Sequence, residues 1–405
     1  MLPRDGRRIL TALLVMKFFQ NAALAVVPPL LVRVSDSFGL SPTQAGGVIG
    51  AFGISRLVVI LPLGLYLSQI SRASGMVLGG VGFSFAGTVL YGAAQGYPWL
   101  LLGRAFMGIG NGMTYLAGLQ LIFSLGPRSH VARLVNIWEA VGVGSLVVHT
   151  VAGGIIGDRW GWRAAFVWAA TSVLISGIVF LLGCPALKTP KLWEGSFDAG
   201  VDGTAQVSGS TSRGTLYILI LMTAFTLGVC WTGVLTTLIP LYGGKILGLR
   251  PSQIGGALSA AYLLDVLLLF PAGRVMDQHA RTILLVPSLG ILMVGGLLLP
   301  HTSSFWSYLA VAAFFATGLA IWNVPSILVA DLRLGPRQGF LLSIVRFVGD
   351  VANALAPVAL GFLIERAGYR VAAWAFALLL SGNLFIAASD LVRRRPWLAF
   401  PAPRV

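Results

Sequence analysis

Seven charged or titratable side chains lie inside stretches that are otherwise apolar. They are Lys17, Arg56, Arg104, His149, Asp265, Arg346 and Asp350. Such groups are costly to keep away from water, so they usually mark places where a protein binds ions, substrates or protons. The sequence has two cysteines, no Cys and His spacing typical of zinc, and no phosphate-binding loop of the kind found in ATP-driven pumps. These side chains therefore predict charge binding or proton exchange without a metal or cofactor.

The composition shows which elements must position these side chains. Hydrophobic residues make up 57% of the chain and charged residues 10%, whereas a soluble domain carries roughly 25% charged residues. Crossing a hydrocarbon layer of about 30 Å takes about 20 apolar residues in a helix. Twelve segments satisfy this, and the predicted helices α1 to α12 lie approximately at 9–32, 43–68, 75–94, 97–125, 131–157, 163–183, 215–243, 252–276, 282–300, 304–330, 338–364 and 370–391.

The chain repeats itself. Residues Leu40–Arg72 fall without a gap on Leu249–Arg281, 209 positions later, with ten of thirty-three residues identical. Within this window Arg56 corresponds to Asp265. Such self-similarity at a fixed offset indicates a duplicated structural unit.

A second window repeats with an offset of 207, so that Gly154 corresponds to Gly361 and Glu139 to Arg346. The sequence therefore predicts an all-α membrane protein with two pseudo-symmetric six-helix bundles, 1–183 and 215–405, joined by a cytoplasmic linker at 184–214. Repeats that differ at their intramembrane charges are typical of transporters with a site between the halves.

The positive charges predict the orientation in the membrane. With the amino terminus inside, seventeen of the 28 Lys and Arg residues lie on the cytoplasmic side, and both termini are cytoplasmic. The net charge of +15 then follows from this bias and from anionic lipid, with no nucleic acid needed. Lys17, Gln20 and Asn21 interrupt the first apolar run, which argues against a cleaved signal peptide.

Several motifs resemble those of the major facilitator superfamily over the whole chain. The loop after α8 runs from Gly273 through Asp277 to Arg281, and its counterpart after α2 has Gly64, Ser68 and Arg72. In α4, Arg104 is followed by glycines, and Gly161 and Gly368 mark the turns after α5 and α11. The resemblance implies a monomeric, non-enzymatic transporter of the bacterial cytoplasmic membrane.

The same resemblance implies roles for particular residues. The two loops are expected to form inner gates, and Ser68 in place of an aspartate predicts a weaker latch in the first half. The antiporter motif of α5 is only partly present, because His149-Thr150 replaces Gly-Pro, while α11 keeps Ala356-Pro357. Arg104 is interpreted either as structural or as part of proton coupling.

The helix pairing that the resemblance implies, α2 with α11 and α5 with α8, predicts which charges meet. Arg56 is expected to approach Asp350, and Asp265 to approach His149 or Glu139. Asp350 could also pair with Arg346, four residues earlier on one helix face. Exchange of Asp350 between the two arginines would couple transport to protons; the alternative is that these pairs are static.

Two other charges have simpler interpretations. Glu139 is expected to form a peripheral salt bridge near Arg128 and Arg133. Lys17 faces the cavity in this interpretation, because α1 lines the cavity in the family and no neighbour in sequence neutralises Lys17. Alternatively, Lys17 extends towards the lipid headgroups.

Polar and aromatic residues within the helices are candidates for the cavity wall. They are Gln20, Asn21, Tyr115, Trp138, Trp231, Tyr262, Trp322 and Asn323. Pro325 removes a backbone hydrogen bond, which predicts a local break in α10 next to Trp322 and Asn323.

Three functions are compatible with these features. The first is proton-coupled export of a small amphipathic or drug-like compound, in which the substrate and protons are the partners in the membrane. The second is proton-coupled uptake of a small organic anion, which the cations Lys17, Arg56, Arg104 and Arg346 favour. The third is a membrane receptor or scaffold that transports nothing.

Overall fold

A computed structural model describes residues 4–66, 73–125, 128–184, 213–278, 283–321, 323–331 and 337–393. These residues form helices and short connections. Nine stretches among them are long and apolar enough to span a membrane. One, Leu341–Leu391, bends at Gly368 and contains two helices, and Tyr97–Ser124 and Leu285–His301 complete the set of twelve. Most of the predicted linker, residues 185–212, lies outside the described residues.

Six helices make up the described part of the first half. Helix α1 consists of Arg4–Gln20, Ala22–Ala25 and Val27–Phe38, with small deviations at Asn21 and Val26. The others are α2 Pro42–Tyr66, α3 Ala73–Gly92, α4 Tyr97–Ser124, α5 Arg128–Trp160 and α6 Trp162–Gly183.

The second six helices are less regular. Helix α7 comprises Arg213–Gly228, a π-helical stretch Val229–Leu238 and Ile239–Lys245. Helix α8 is Pro251–Gln278, and α9 is Leu285–Leu298 followed by a 3₁₀ turn Leu299–His301. Helix α10 comprises Phe305–Thr317, a 3₁₀ turn Gly318–Ile321 and Val324–Asp331; α11 and α12 form the run Arg337–Arg393 on either side of Gly368.

The predicted break in α10 is confirmed. The α-helix gives way to a 3₁₀ turn at Gly318 and resumes at Val324, so the interruption lies just before Pro325. Proline at the second position of the new segment needs no N–H partner, which is why a helix can restart there.

Four glycines show that the sequence repeat is also a structural repeat. Gly39 and Gly248, 209 positions apart, have φ values of 60° and 64°. Gly161 and Gly368, 207 positions apart, have φ values of 86° and 81°. Positive φ is unfavourable for residues with a Cβ atom, so each glycine is required by its own turn.

The two halves pack against each other at the end of the molecule opposite to Arg4, which we call the far end. Helix α2 packs on α11, and α5 packs on α8, which is the pairing that the resemblance implied. A Cβ atom at Gly255 of α8 would lie 2.7 Å from the Thr150 carbonyl oxygen of α5. The equivalent contact in the other interface joins Gly46 to the carbonyl of Pro357.

A second pair of contacts lies still nearer the far end. A Cβ atom at Gly154 would lie 2.5 Å from the Pro251 carbonyl oxygen, and one at Gly361 would collide with the Pro42 carbonyl. The repeat relates Gly154 to Gly361 and Pro42 to Pro251. The two windows of sequence similarity are therefore the two sides of one duplicated interface, which explains why similarity persists there.

Acidic side chains add polar links across the same interfaces. Asp158, at the end of α5, accepts a hydrogen bond of 3.0 Å from the backbone N–H of Ser252 in the first turn of α8. Glu365 accepts hydrogen bonds from the backbone N–H, at 3.2 Å, and from the hydroxyl of Thr43 in the first turn of α2. Acids at helix N-termini satisfy free N–H groups and favour the helix dipole.

A salt bridge between Asp36 and Lys245 completes the far-end contacts. These residues are also 209 positions apart, so one position of the repeat meets its own copy across the interface with the opposite charge. Both side chains are partly exposed to solvent, and an exposed pair contributes only about 0–1 kcal/mol. The attraction between the opposite charges still favours contact between the two halves.

We expect the far end to open more readily when the solution on that side is acidified. Hydrogen bonds from Thr43 and Ser41 lower the pKa of Glu365, so its contribution to closure is complete above the ordinary glutamate pKa of about 4.3 and decreases as the pH falls below it. Spin labels on Arg33→Cys and Arg250→Cys, in a chain without Cys184 and Cys230, would report the separation. In Glu365→Gln the distance between the labels should change less with pH in this range. An unchanged pH dependence of that distance would contradict the role assigned to Glu365.

Candidate functional site

A cavity of about 250 Å³ lies between the two halves. Along α2 it begins at Ile49 and includes Arg56, whereas along α11 it runs from Val345 to Asn353. On both helices these residues lie on the side of the interface contacts away from the far end. Helices α1, α2, α4, α5, α7, α8, α10 and α11 contribute to its wall. This position between the repeats is where substrates bind in folds of this type.

One wall of the cavity holds a buried ion pair. Lys17 Nζ lies 3.4 Å from Glu139 Oε2, and their side chains are 9% and 15% exposed. The Tyr115 hydroxyl donates to Glu139 Oε1 at 3.0 Å. The lysine ammonium group also lies over the Trp138 ring, 4.2 Å from its centre. Such pairs are stable only when hydrogen bonds and close packing compensate for lost hydration.

This arrangement corrects one prediction from the sequence and excludes one alternative. Glu139 is not part of a peripheral salt bridge, because α5 begins at Arg128 and Glu139 lies well inside it. Lys17 does not extend towards the headgroups, since Glu139 neutralises it from another helix. The pairing could have been suspected because Lys17 and Glu139 lie at similar depth on their helices. The sequence does not show, however, which faces of α1 and α5 meet.

Three further charges face the same cavity. Arg56 of α2 is half-buried, its Nε has no hydrogen-bond partner among the described residues, and its guanidinium carbon lies 5.2 Å from the Tyr115 ring centre. Arg346 of α11 is within electrostatic reach of Tyr115, Glu139 and Asp350. The expected meeting of Arg56 and Asp350 is not seen as an ion pair in the part of the chain that the structure describes, although both line the cavity.

Another part of the cavity lining is aromatic and apolar. Trp231 of α7 and Tyr262 of α8 have ring centres 5.8 Å apart, and Leu227 and Leu319 extend this surface. Trp231 lies in the π-helical stretch, where the side-chain hydroxyl of Thr237 donates to the carbonyl of Thr232 five residues earlier. Such stretches are often found at functional sites.

Arg104 borders the cavity but is held by the protein. It is 2% exposed, donates to the Val48 carbonyl at 3.2 Å, and lies over the Phe52 ring at 4.8 Å. These contacts match the structural interpretation of this residue. Asn21, also in the wall, donates to the carbonyl of Gly142 and to Ser145, and so joins α1 to α5.

His149 and Asp265 are not among the described residues that line the cavity. The His149 ring packs among Phe18, Phe19 and Trp168, with its centre 4.8 Å from that of Phe18. Asp265 is 3% exposed, and Tyr262 is the described residue within its electrostatic reach. The expected approach of Asp265 to His149 or Glu139 is not seen as a salt bridge or hydrogen bond among the residues that the structure describes.

Some predicted site residues have other positions. Gln20 donates to Thr114 at 2.7 Å and to Ser84, inside the first half. Trp138 is 1% exposed, and its ring packs against the ammonium group of Lys17. Asn323 lies in the turn of α10, where Pro325 and Ser326 reach the cavity, and Trp322 is outside the described residues.

The predicted inner gates can be placed only in part. Gly64 lies in α2 and Gly273 in α8, and the backbone of Asp277 continues α8. Ser68, Arg72 and Arg281 lie outside the described residues. The roles proposed for these loops stay predictions.

The family of this chain follows from its sequence. The sequence model of the Major Facilitator Superfamily matches residues 13–264 and 244–404. The chain belongs to the major facilitator superfamily. It is therefore a multi-pass membrane protein of this superfamily.

Individual major facilitator proteins resemble the chain to different extents. The facilitated glucose transporter member 10 of solute carrier family 2 from Mus musculus is 31% identical over 173 residues, which is 42% of this chain and 32% of that protein. The chain thus matches about a third of that relative. An MFS-type efflux pump of Mycolicibacterium smegmatis is 27% identical over 383 residues, 90% of this chain and 86% of the pump.

A solved major facilitator structure has the same fold. It is a bacterial homolog of the human lysosomal transporter Spinster in an inward-facing and unoccupied conformation. The TM-score is 0.72 with 15% sequence identity, and the match covers the whole of both chains.

Proposed function

We propose that the chain is a proton-coupled secondary transporter that moves a small amphipathic organic compound by alternating access. The observation that carries this proposal is the cavity between the halves, whose lining combines charged groups from both halves with aromatic and apolar residues. Ligand sites commonly combine an apolar lining with a few polar groups that fix orientation.

Proton coupling is assigned to Asp350. This half-buried acid lies in the cavity wall and within electrostatic reach of Arg346. Since α11 belongs to one half and α2 to the other, rocking of the halves changes the distance from Asp350 to Arg56. Protonation of Asp350 would weaken its attraction to both arginines and favour one arrangement over the other.

Two directions of transport are supported by different observations. Export of a drug-like compound is supported by the efflux pump that the chain matches over most of its length. Uptake of an organic anion is supported by the cavity, whose described residues include four cations and two acids. In either case we propose a monomer in a bacterial cytoplasmic membrane, with both termini in the cytoplasm because positive charge is concentrated there.

Purified full-length protein in liposomes with a pH dye inside would test the proposal. Lipophilic cations and small organic anions are added outside, one at a time. Proton release from an acidic lumen on adding a cation indicates antiport and export, whereas acidification of the lumen on adding an anion indicates symport. No proton movement with any compound, together with no counterflow, would contradict the proposal.

Two aspartates provide matched variants for the coupling step. Asp350→Asn should lose proton movement while keeping substrate counterflow, because the cavity is intact but the carboxylate proposed to carry the proton is gone. Asp265→Asn should keep both activities, since Asp265 is not among the described residues that line the cavity. If Asp265→Asn loses proton coupling and Asp350→Asn keeps it, the coupling acid is Asp265 and the assignment to Asp350 is wrong.

A further inference from the structure

We infer that the substrate is an amphipathic organic anion, whose carboxylate or similar group binds at Arg56 beside Tyr115 while its apolar body lies against Trp231 and Tyr262. This inference rests on the proposed transport function and specifies its substrate class. It follows from the distribution of charge and aromatic surface within one cavity.

The charge of the cavity favours an anion. Among the described lining residues, Lys17, Arg56, Arg104 and Arg346 face two acids, Glu139 and Asp350. Arg104 is held by a backbone carbonyl and Glu139 is bound to Lys17 and Tyr115. The remaining positive charge is concentrated around Arg56, and uncompensated charge inside a membrane protein marks a ligand site.

Arg56 has the contacts of a group that lacks its partner. Its Nε is buried without a hydrogen-bond partner in the residues that the structure describes. It is also within electrostatic reach of Lys17, a like charge that destabilises it. A carboxylate would relieve both effects, because guanidinium groups bind carboxylates through two parallel hydrogen bonds.

The aromatic part of the lining suits an apolar body. Trp231 and Tyr262 come from α7 and α8 of the second half, whereas Arg56 and Tyr115 come from the first. An amphipathic anion would therefore contact both halves at once. Binding that spans the two halves is what allows a substrate to favour their closure around it.

Anion binding should be accompanied by proton binding. The Asp350 carboxylate shares the cavity with Lys17, Arg56, Arg104, Tyr115, Glu139, Tyr262 and Arg346. An anion on Arg56 adds a second negative charge to the cavity that holds this carboxylate, and like charges close together away from water are costly. One proton taken up from the solution together with the anion would remove that cost. Proton and anion thus bind together, and this inference selects symport over antiport.

Equilibrium binding to the purified full-length protein in nanodiscs would test the inference without requiring transport. The probes are octanoate, 4-phenylbutyrate and 1-naphthylacetate, each with its matched neutral amide and cationic amine. At least one carboxylate should bind about tenfold more tightly than its amide and its amine. A weakly buffered sample with a pH indicator should show proton uptake on carboxylate binding.

Three variants separate charge recognition from general damage. Arg56→Gln should weaken carboxylate binding about tenfold and leave amide binding nearly unchanged, and Arg56→Lys should restore part of the loss. Arg250→Gln, which removes an exposed charge far from the cavity, should bind as the parent does. Carboxylates that bind no more tightly than their amides, or equal losses for all probes in Arg56→Gln, would overturn the inference.

Binding and transport can fail separately. If carboxylates bind as expected but no proton or substrate moves in liposomes, the proposed function is wrong and the anion site stands. If liposomes transport cations only, the transport function stands and the anion site is wrong.

Discussion

Replacing both Gly154 and Gly361 by alanine should separate the halves at the far end and reduce transport about tenfold or more. Each new methyl group would meet backbone atoms of Pro251 or Pro42, which cannot move without displacing a whole helix. Overpacking of this kind costs about 1–3 kcal/mol at each site. Because the strain exists only while the far end is closed, it shifts the population towards conformations in which that end is open.

The spin labels at positions 33 and 250 would measure this shift as a longer and broader distance distribution. A matched control is the double variant Gly144→Ala and Gly256→Ala, because the structure has open space around both of these glycines. Each double variant adds two methyl groups, one in α5 and the other in α11 or α8. Equal distances in the two doubles would show that close glycine contacts do not control closure.

Replacing Glu139 by glutamine should destabilise the protein by about 3–5 kcal/mol, because Lys17 would remain buried without a counter-ion. The Tyr115 hydroxyl could still donate to the amide oxygen, so the loss would report the charge and not the hydrogen bond. Unfolding in detergent micelles, followed through tryptophan fluorescence over a denaturant series, would give the difference in free energy.

The double variant Lys17→Met and Glu139→Gln is the decisive comparison. Removing both charges removes the uncompensated lysine, so most of the stability lost in Glu139→Gln should return. A double variant no more stable than Glu139→Gln alone would mean that Lys17 is not the source of the loss. Substrate counterflow in the stable double variant would then show whether the pair is a structural contact or part of the transport cycle.

The fold could be predicted because its causes are local or repeated in the sequence. Apolar segments long enough to cross a membrane specify helices, since a backbone in lipid must satisfy its own hydrogen bonds. The offsets of 209 and 207 specified the duplication, and the paired glycine turns, Gly39 with Gly248 and Gly161 with Gly368, have nearly equal φ values. Pro325 correctly placed the break in α10.

Partners within the candidate site were harder to predict. Depth in the membrane can be counted along a helix, but the direction of a side chain depends on how that helix is rotated against its neighbours. A small rotation decides whether Asp265 faces the cavity or the interior of the second half. The π-helical stretch of α7 also changes rotation along the helix, and the apolar sequence around Trp231 gave no signal for it.

The sequence by itself determined the twelve helices, their duplication, the turns that need glycine and the set of intramembrane charges, because these follow from residue type and position along the chain. Only the tertiary structure decided that Glu139 neutralises Lys17, that Asp265 and His149 are not among the described residues that line the cavity, and that Arg56 faces the cavity beside Tyr115. Those facts depend on helix rotation and on packing between helices distant in sequence, which a pattern along one chain does not specify.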